Sequence, residues 1–309
     1  MGYERRNEMS QHTICIMGAG SFGRAMRFHL EKKGYEVRVW RRGDDPSEKI
    51  RGADTVIYAV PAQSFREVLG LSAPYLQGKL CVNLAKGIEL GSLKRLSEVA
   101  GEICPDLRYI ALSGPSHAEE ILESLPANVT VASGDEEALR EAQEIFFSDR
   151  FRVYTNTDLV GTETGGALKN VIALCTGISD GLGLGDNTRA AIMTRGLAEI
   201  SRLGVAMGAD PITFLGLAGV GDQIVTWTSM HSRNRRCGIM LGKGMPLEEA
   251  LLRVGEVVEG VTTCRAARDL SLRYGVEMPI TSYLYEFLEG RVTLEDALAT
   301  LLTRSPKAE

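Results

Sequence analysis

The run Gly165-Gly166-Ala167-Leu168-Lys169-Asn170 sets a lysine inside a segment with the composition of a buried helix. At about 3.6 residues per turn, Thr162, Gly166, Lys169, Ala173, Thr176 and Asp180 share one small or polar stripe. Val171, Ile172, Leu174, Cys175 and Ile178 are the apolar remainder. Lys169 therefore points where little bulk competes for space. An amine held out of water has its pKa pushed down toward neutrality, where it can donate a proton and recover it. The ordinary alternative is a lysine that snorkels to solvent, and the residues elsewhere in the chain weigh against it.

Gly18-Ala19-Gly20-Ser21-Phe22-Gly23 follows a β-rich run directly and opens a helical one, the context in which a glycine fingerprint binds a dinucleotide. Gly18 permits the tight turn, Gly20 lets backbone N–H groups approach a pyrophosphate, and Gly23 allows close helix–strand packing. The second β-rich run ends in Arg41 and Arg42, with no acidic residue to grip a ribose 2′-hydroxyl. This favours NADP(H), with NAD(H) possible, unless both arginines are merely solvated. Lys86 and the run Ser113-Gly114-Pro115-Ser116 each fall at or just past the C-terminal end of a β-rich run, the edge where open α/β sheets bind ligands. In the second half, Gly219-Val220-Gly221-Asp222 and Ser232-Arg233-Asn234-Arg235-Arg236 put a carboxylate and a cationic cluster within a short span, and an arginine fork suits a phosphate. Such a cluster is otherwise a solvated helix face.

These residues need a scaffold. Thr13–Met17, Glu36–Trp40, Thr55–Val60, Leu80–Asn83, Tyr109–Leu112, Asn128–Ala132 and Phe151–Asn156 read as strands. Between them Phe22–Lys33, Ser64–Leu76, Ser92–Ala100 and Glu136–Phe147 carry helical periodicity, with Ser92 and Asp135 as N-caps. After Thr157 the pattern is helical throughout, including Thr188–Met207, Leu247–Val258, Thr262–Tyr274, Ser282–Leu288 and Leu294–Leu302. The expected fold is α/β: a dinucleotide-binding domain over 1–156 with a mostly parallel, doubly wound sheet, its first residues 1–11 a disordered leader, and an all-helical domain over 157–309. The boundary lacks a flexible linker, so the two halves should share a cleft. Only Arg41–Asp54 joins the second and third strands, barely enough for a parallel crossover.

Composition narrows the chemistry. The chain has 309 residues and a formal charge of −5, which argues against a general nucleic-acid binder. Its six cysteines are scattered and its four histidines form no paired motif, so no metal site is expected and the thiols should be free. No stretch of about 18 apolar residues is present, so no stable membrane insertion is expected; the polar first residues point to the cytoplasm. Glycine clusters at Gly18–Gly23, Gly161–Gly166, Gly181–Gly185 and Gly216–Gly221, as expected where backbone approaches ligands.

Taken together, Gly18–Gly23, Lys86-Gly87, Ser113–Ser116, Gly165–Asn170, Leu182–Asn187, Leu217–Asp222, Ser232–Arg236 and Val257-Val258-Glu259-Gly260 resemble the bacterial-type NAD(P)-dependent glycerol-3-phosphate dehydrogenases, in that family's order and over nearly the whole chain. The resemblance implies a Rossmann-like N-terminal domain and reversible reduction of dihydroxyacetone phosphate to sn-glycerol 3-phosphate by NAD(P)H, feeding phospholipid synthesis. It assigns Lys169 as proton donor and acceptor. Lys86, Gly114, Ser116, Lys169, Asp222, Ser232, Arg233 and Asn234 would hold the phosphate substrate. Gly18, Gly20, Ser21, Phe22, Gly23, Arg41, Arg42, Lys86, Ala118, Arg233, Val257 and Glu259 would line the dinucleotide site. A homodimer is the expected assembly. Phe22 and His117 stand where many relatives carry tryptophan and phenylalanine. Two other readings remain open: a dehydrogenase of a small keto or hydroxy acid, and a catalytically silent NADP sensor.

Overall fold

β1 (Thr13–Met17) is buried along its whole length and lies between β2 (Glu36–Trp40) and β3 (Thr55–Tyr58), in parallel register with both, Ile14 opposite Val37 and Cys15 opposite Val56. The computed structural model that shows this describes residues 12–297. The leader expected over 1–11 lies outside the described residues, as does the end of the helix expected over Leu294–Leu302.

The sheet continues through β4 (Leu80–Asn83), β5 (Arg108–Ser113), β6 (Ala127–Ala132) and β7 (Phe151–Asn156), in the order β2-β1-β3-β4-β5-β6-β7. All neighbours are parallel except β5 and β6, which run antiparallel with Leu112 opposite Val131. Helices cover both faces, which is why the central strands are apolar without alternation. One face packs α1 (Ser21–Lys32), α5 (Ala118–Leu122) and α6 (Glu136–Phe146) through Met26, Leu30, Ile121, Leu139 and Phe146. The other packs α2 (Pro46–Ile50), α3 (Phe65–Ser72) and α4 (Leu96–Ile103) through Ile50, Phe65, Leu69, Leu96 and Val99.

Two helix boundaries differ from expectation. Ser92 is not the cap of α4: its hydroxyl donates to the Glu89 carboxylate at 2.5 Å and accepts from the Lys94 N–H at 3.2 Å in a preceding turn, and the chain enters α4 only at Leu96, where Glu98 accepts from the Arg95 N–H at 2.8 Å. The helix expected over Ser64–Leu76 stops at Ser72, because Pro74 lacks the N–H needed to continue it. The short Arg41–Asp54 connection suffices for its crossover: α2 starts on an Asp45 cap and buries Ile50 in a single turn.

Beyond β7 the chain is helical. α7 (Leu159–Gly181) is capped by Asp158, whose carboxylate accepts from the Gly161 N–H at 2.9 Å, and is buried along most of its 23 residues. Around it lie α8 (Gly185–Ala206), α9 (Asp222–Thr228), α10 (Arg233–Gly242), α11 (Leu247–Val254), α12 (Glu259–Tyr274) and α13 (Pro279–Leu288). α7 and α10 meet backbone to backbone: a Cβ on Gly177 would fall 2.9 Å from the Gly238 Cα, and one on Gly242 would fall 3.0 Å from the Gly181 Cα. Gly181 thus serves helix packing, and a Cβ on Gly219 would meet the Phe214 backbone, so close backbone packing accounts for both of these glycines.

The two halves are tied by a buried carboxylate. Glu163 of α7 accepts from the Ser97 N–H at 2.9 Å, from Arg95 at 3.0 Å and from the Tyr109 hydroxyl at 2.9 Å. Asn83 donates to that same hydroxyl at 2.9 Å, and its side-chain oxygen accepts from the Ala85 N–H at 3.0 Å, so the tie reaches the loop that carries Lys86.

Candidate active site

A cleft of about 410 Å³ runs between the sheet edge and the helical half. Its floor is built by α7 passing close under the end of β5, an approach that Gly166 permits, since a Cβ there would sit 2.9 Å from the Ser113 hydroxyl. Lys169, one turn later, is 6% exposed. Its Nζ donates to Asp222 Oδ1 at 2.5 Å and to the Thr226 hydroxyl at 2.6 Å. From the sheet side, Lys86 Nζ donates to Asp222 Oδ2 at 2.6 Å and to the Gly114 carbonyl at 3.3 Å. The Ser113 hydroxyl and the Gly114 N–H also donate to Asp222, each at 3.2 Å. One carboxylate at the head of α9 thus collects two ammonium groups from the two halves of the chain.

Burial sets the charges. Desolvation pushes Lys169 down to about 8, against the pull of Asp222 and with help from Lys86. Burial alone would raise Asp222, but the two ammonium groups hold it down at about 2, so it stays ionised. The proton of this cluster therefore resides on lysine, and Lys169 is the member poised to exchange it near neutral pH.

A polar chain leads away from Lys169 along the wall. Asn170 donates to the Lys86 carbonyl at 3.3 Å and accepts from Asn234 at 3.0 Å, while Asn234 accepts from the Gly260 N–H at 2.8 Å. Asn234 lies in the first turn of α10, whose cap is Ser232, accepting from the Arg235 N–H at 3.2 Å. Arg233 stands beside it, 40% exposed at the cleft mouth. Helix N-termini and arginine forks both favour anions, so this corner suits a phosphate.

At the other end are Gly20, Ser21 and Phe22, with Ala118, Val257 and Glu259 across from them. Gly18 and Gly23 lie beneath: a Cβ on either would strike backbone of the turn or of β3's end, so both shape the cradle without lining it. Gly18, at φ +121°, adopts the left-handed region that its type allows. Glu259 accepts from the Ala62 N–H at 3.0 Å through one oxygen, while its buried other oxygen has no partner among the described residues. A glycine cradle at a helix start, with an orphaned acceptor opposite, fits a dinucleotide carrying an amide.

Lys86, Ser116, Lys169, Ser232, Arg233, Asn234, Gly20, Ser21, Phe22, Ala118, Val257 and Glu259 line one cleft. Asp222 and Gly114 sit behind the wall, engaged with the lysines. Arg41 and Arg42 lie outside the enclosed cleft at the end of β2, Arg42 in a loose pair with Glu67 at 3.8 Å. Asn170, Thr226 and Glu256 line the cleft and were not singled out from sequence. Asn170 adjoins Lys169, and Thr226 stands one turn after Asp222, so helical spacing was the available signal for both. His117 and His231 also face each other there, ring centres 5.5 Å apart.

Comparison with known proteins bears on the family of the chain. The model of the NAD-dependent glycerol-3-phosphate dehydrogenase C-terminus matches residues 158–299, and that of the N-terminus matches 13–51 and 43–139, two pieces that meet within the Arg41–Asp54 connection. The chain is 47% identical to the glycerol-3-phosphate dehydrogenase [NAD(P)+] of Moorella thermoacetica, over 95% of this chain and 96% of that one. It is 48% identical to the enzyme of the same name from Pelotomaculum thermopropionicum, covering 96% and 94%. The crystal structure of glycerol-3-phosphate dehydrogenase from Coxiella burnetii superimposes with a TM-score of 0.91 at 33% identity, over 96% of this chain and 100% of that one. Family models that span both halves, and relatives this similar over nearly their full length, place the chain in the NAD-dependent glycerol-3-phosphate dehydrogenase family.

Proposed function

We propose that this enzyme reversibly reduces dihydroxyacetone phosphate to sn-glycerol 3-phosphate, with Lys169 as the proton donor and acceptor. The observation that carries the reading is the buried Lys169–Asp222–Lys86 cluster opening onto a cleft with an anion-binding corner at one end and a glycine cradle at the other. Bound NAD(P)H supplies the hydride. Lys169 stabilises the charge that develops on the carbonyl oxygen and then protonates it. Lys86 adds positive charge on the same side, and Asp222 keeps both amines oriented without competing for the proton. Ser232, Arg233 and Asn234 hold the substrate phosphate, with Gly114 and Ser116 completing the pocket, so that phosphate binding energy goes into orientation. Gly18, Gly20, Ser21, Phe22, Gly23, Ala118, Lys86, Val257 and Glu259 receive the dinucleotide, and Arg41 and Arg42 favour the 2′-phosphate of NADP(H). The division at 156/157, a homodimeric assembly, a cytoplasmic location and a role in phospholipid synthesis belong to the same reading. Among the described residues, no helix is long and apolar enough to cross a membrane.

The test follows NADPH and NADH oxidation with dihydroxyacetone phosphate in parallel. Oxidation of either supports the reaction. Bound cofactor without oxidation would point to another carbonyl substrate, or to a sensor if none is found.

A further inference from the structure

α1 begins without a side-chain cap, because Gly20 occupies that position, and its first turn contains no acidic residue. Its free N–H groups therefore call for an outside anion. A carboxylate arrives from the opposite half of the chain. Glu256 Oε2 accepts from the Ser21 hydroxyl at 2.7 Å across 235 residues of sequence, and the same oxygen accepts from Arg233 Nη1 at 3.2 Å. Glu256 thus bridges the cleft mouth, joining the glycine turn to the arginine of the phosphate corner.

We infer that Glu256 is a placeholder for the cofactor's pyrophosphate. Its carboxylate uses a donor beside the glycine turn that a pyrophosphate would use, and two anions at one helix start repel each other. The pair is about half exposed, at 40% for Arg233 and 43% for Glu256, so it is weakly held and readily exchanged. Entry of the dinucleotide displaces Glu256, and displacement frees Arg233 to meet the substrate phosphate. Glu256 is in this sense a positioning residue that acts through Arg233 and makes binding of cofactor and phosphate cooperative. The inference rests on the cleft being the cofactor site; it does not depend on which carbonyl compound is reduced.

The test compares the full-length wild type with Glu256→Gln, which keeps an oxygen acceptor and removes the charge. NADPH is titrated by fluorescence, and inorganic phosphate is titrated by calorimetry with and without saturating NADPH. The variant should bind NADPH about fivefold more tightly, the scale expected for relieving one partly exposed charge contact. Phosphate should also bind more tightly to the cofactor-free variant, shrinking the gain that NADPH gives in the wild type. Equal or weaker NADPH binding by a variant with unchanged melting overturns the placeholder, and tighter NADPH without tighter phosphate overturns the link to Arg233. Wild type that binds NADPH but leaves dihydroxyacetone phosphate unreduced would instead refute the proposed reaction, leaving these binding readouts intact.

Discussion

At the scale of single residues, the site is a problem of where one proton rests. Lys169→Ala should lower turnover about a thousandfold, the range for losing a positioned acid, with NADPH affinity measured by fluorescence nearly unchanged; surviving turnover would remove Lys169 from its role. The pH dependence has a definite sign. Below about 8 Lys169 carries its proton, so ketone reduction is supported there and declines as pH rises past that value, whereas alcohol oxidation, which needs the free amine, rises over the same window. Initial rates in both directions across that range check this, and parallel profiles would contradict it. Separately, Arg41→Ala and Arg42→Ala should narrow the NADPH over NADH preference, and an unchanged ratio would mean that both arginines are simply solvated at the end of β2. Lys169, Lys86 and Arg233 were legible in sequence because unusual residue types stood in motifs. Glu256 and Glu163 were not, because each works through partners 235 and 66 residues away that no local spacing reveals.

At the scale of elements, what was legible follows from what each element needs from its neighbours. β1 and β4, buried along their whole length, are apolar runs, while the edge strands β2 and β7 interleave apolar and polar residues, and all four have the bounds expected of them. α2, α5, α9 and α10 were not delimited from sequence, although the stretch holding the last two was read as helical. The first three are only 5, 5 and 7 residues long, and α10 has a glycine-marked face that meets another backbone, so none shows a full apolar stripe. Ser92 misled because its hydroxyl accepts from the Lys94 N–H in a turn that precedes the helix, which starts only at Leu96. The α7–α10 contact yields a prediction at this scale. Gly238→Ala would put a methyl against the Leu174 carbonyl and 2.9 Å from the Ile178 nitrogen, forcing the helices apart. Overpacking of this kind costs about 1–3 kcal/mol, measurable in urea. Because Ser232, Arg233 and Asn234 head α10, the Michaelis constant for dihydroxyacetone phosphate should rise with it; a rise in neither quantity would show that the contact tolerates a side chain.

For the whole molecule, the boundary between halves carries the chemistry. Glu163 joins α7 to α4 and β5, and Asp222 gathers a lysine from each half, so neither half keeps its buried charges satisfied alone. The two tryptophans report on the two halves separately, Trp40 at the end of β2 and Trp227 in α9. Denaturant transitions followed in Trp40→Phe and Trp227→Phe should coincide, and separated midpoints would mean that the halves unfold independently. The meeting of α7 and α10 has a further consequence for temperature. Lys169 rides on one of these helices and the proposed phosphate corner heads the other, and the two touch main chain to main chain at Gly177 and Gly238 and at Gly181 and Gly242. The span from the proposed proton donor to the proposed phosphate anchor is thus held where backbone meets backbone. Warming will quicken the reaction while leaving that span, and with it the fit to a three-carbon phosphate, almost constant until the fold itself gives way.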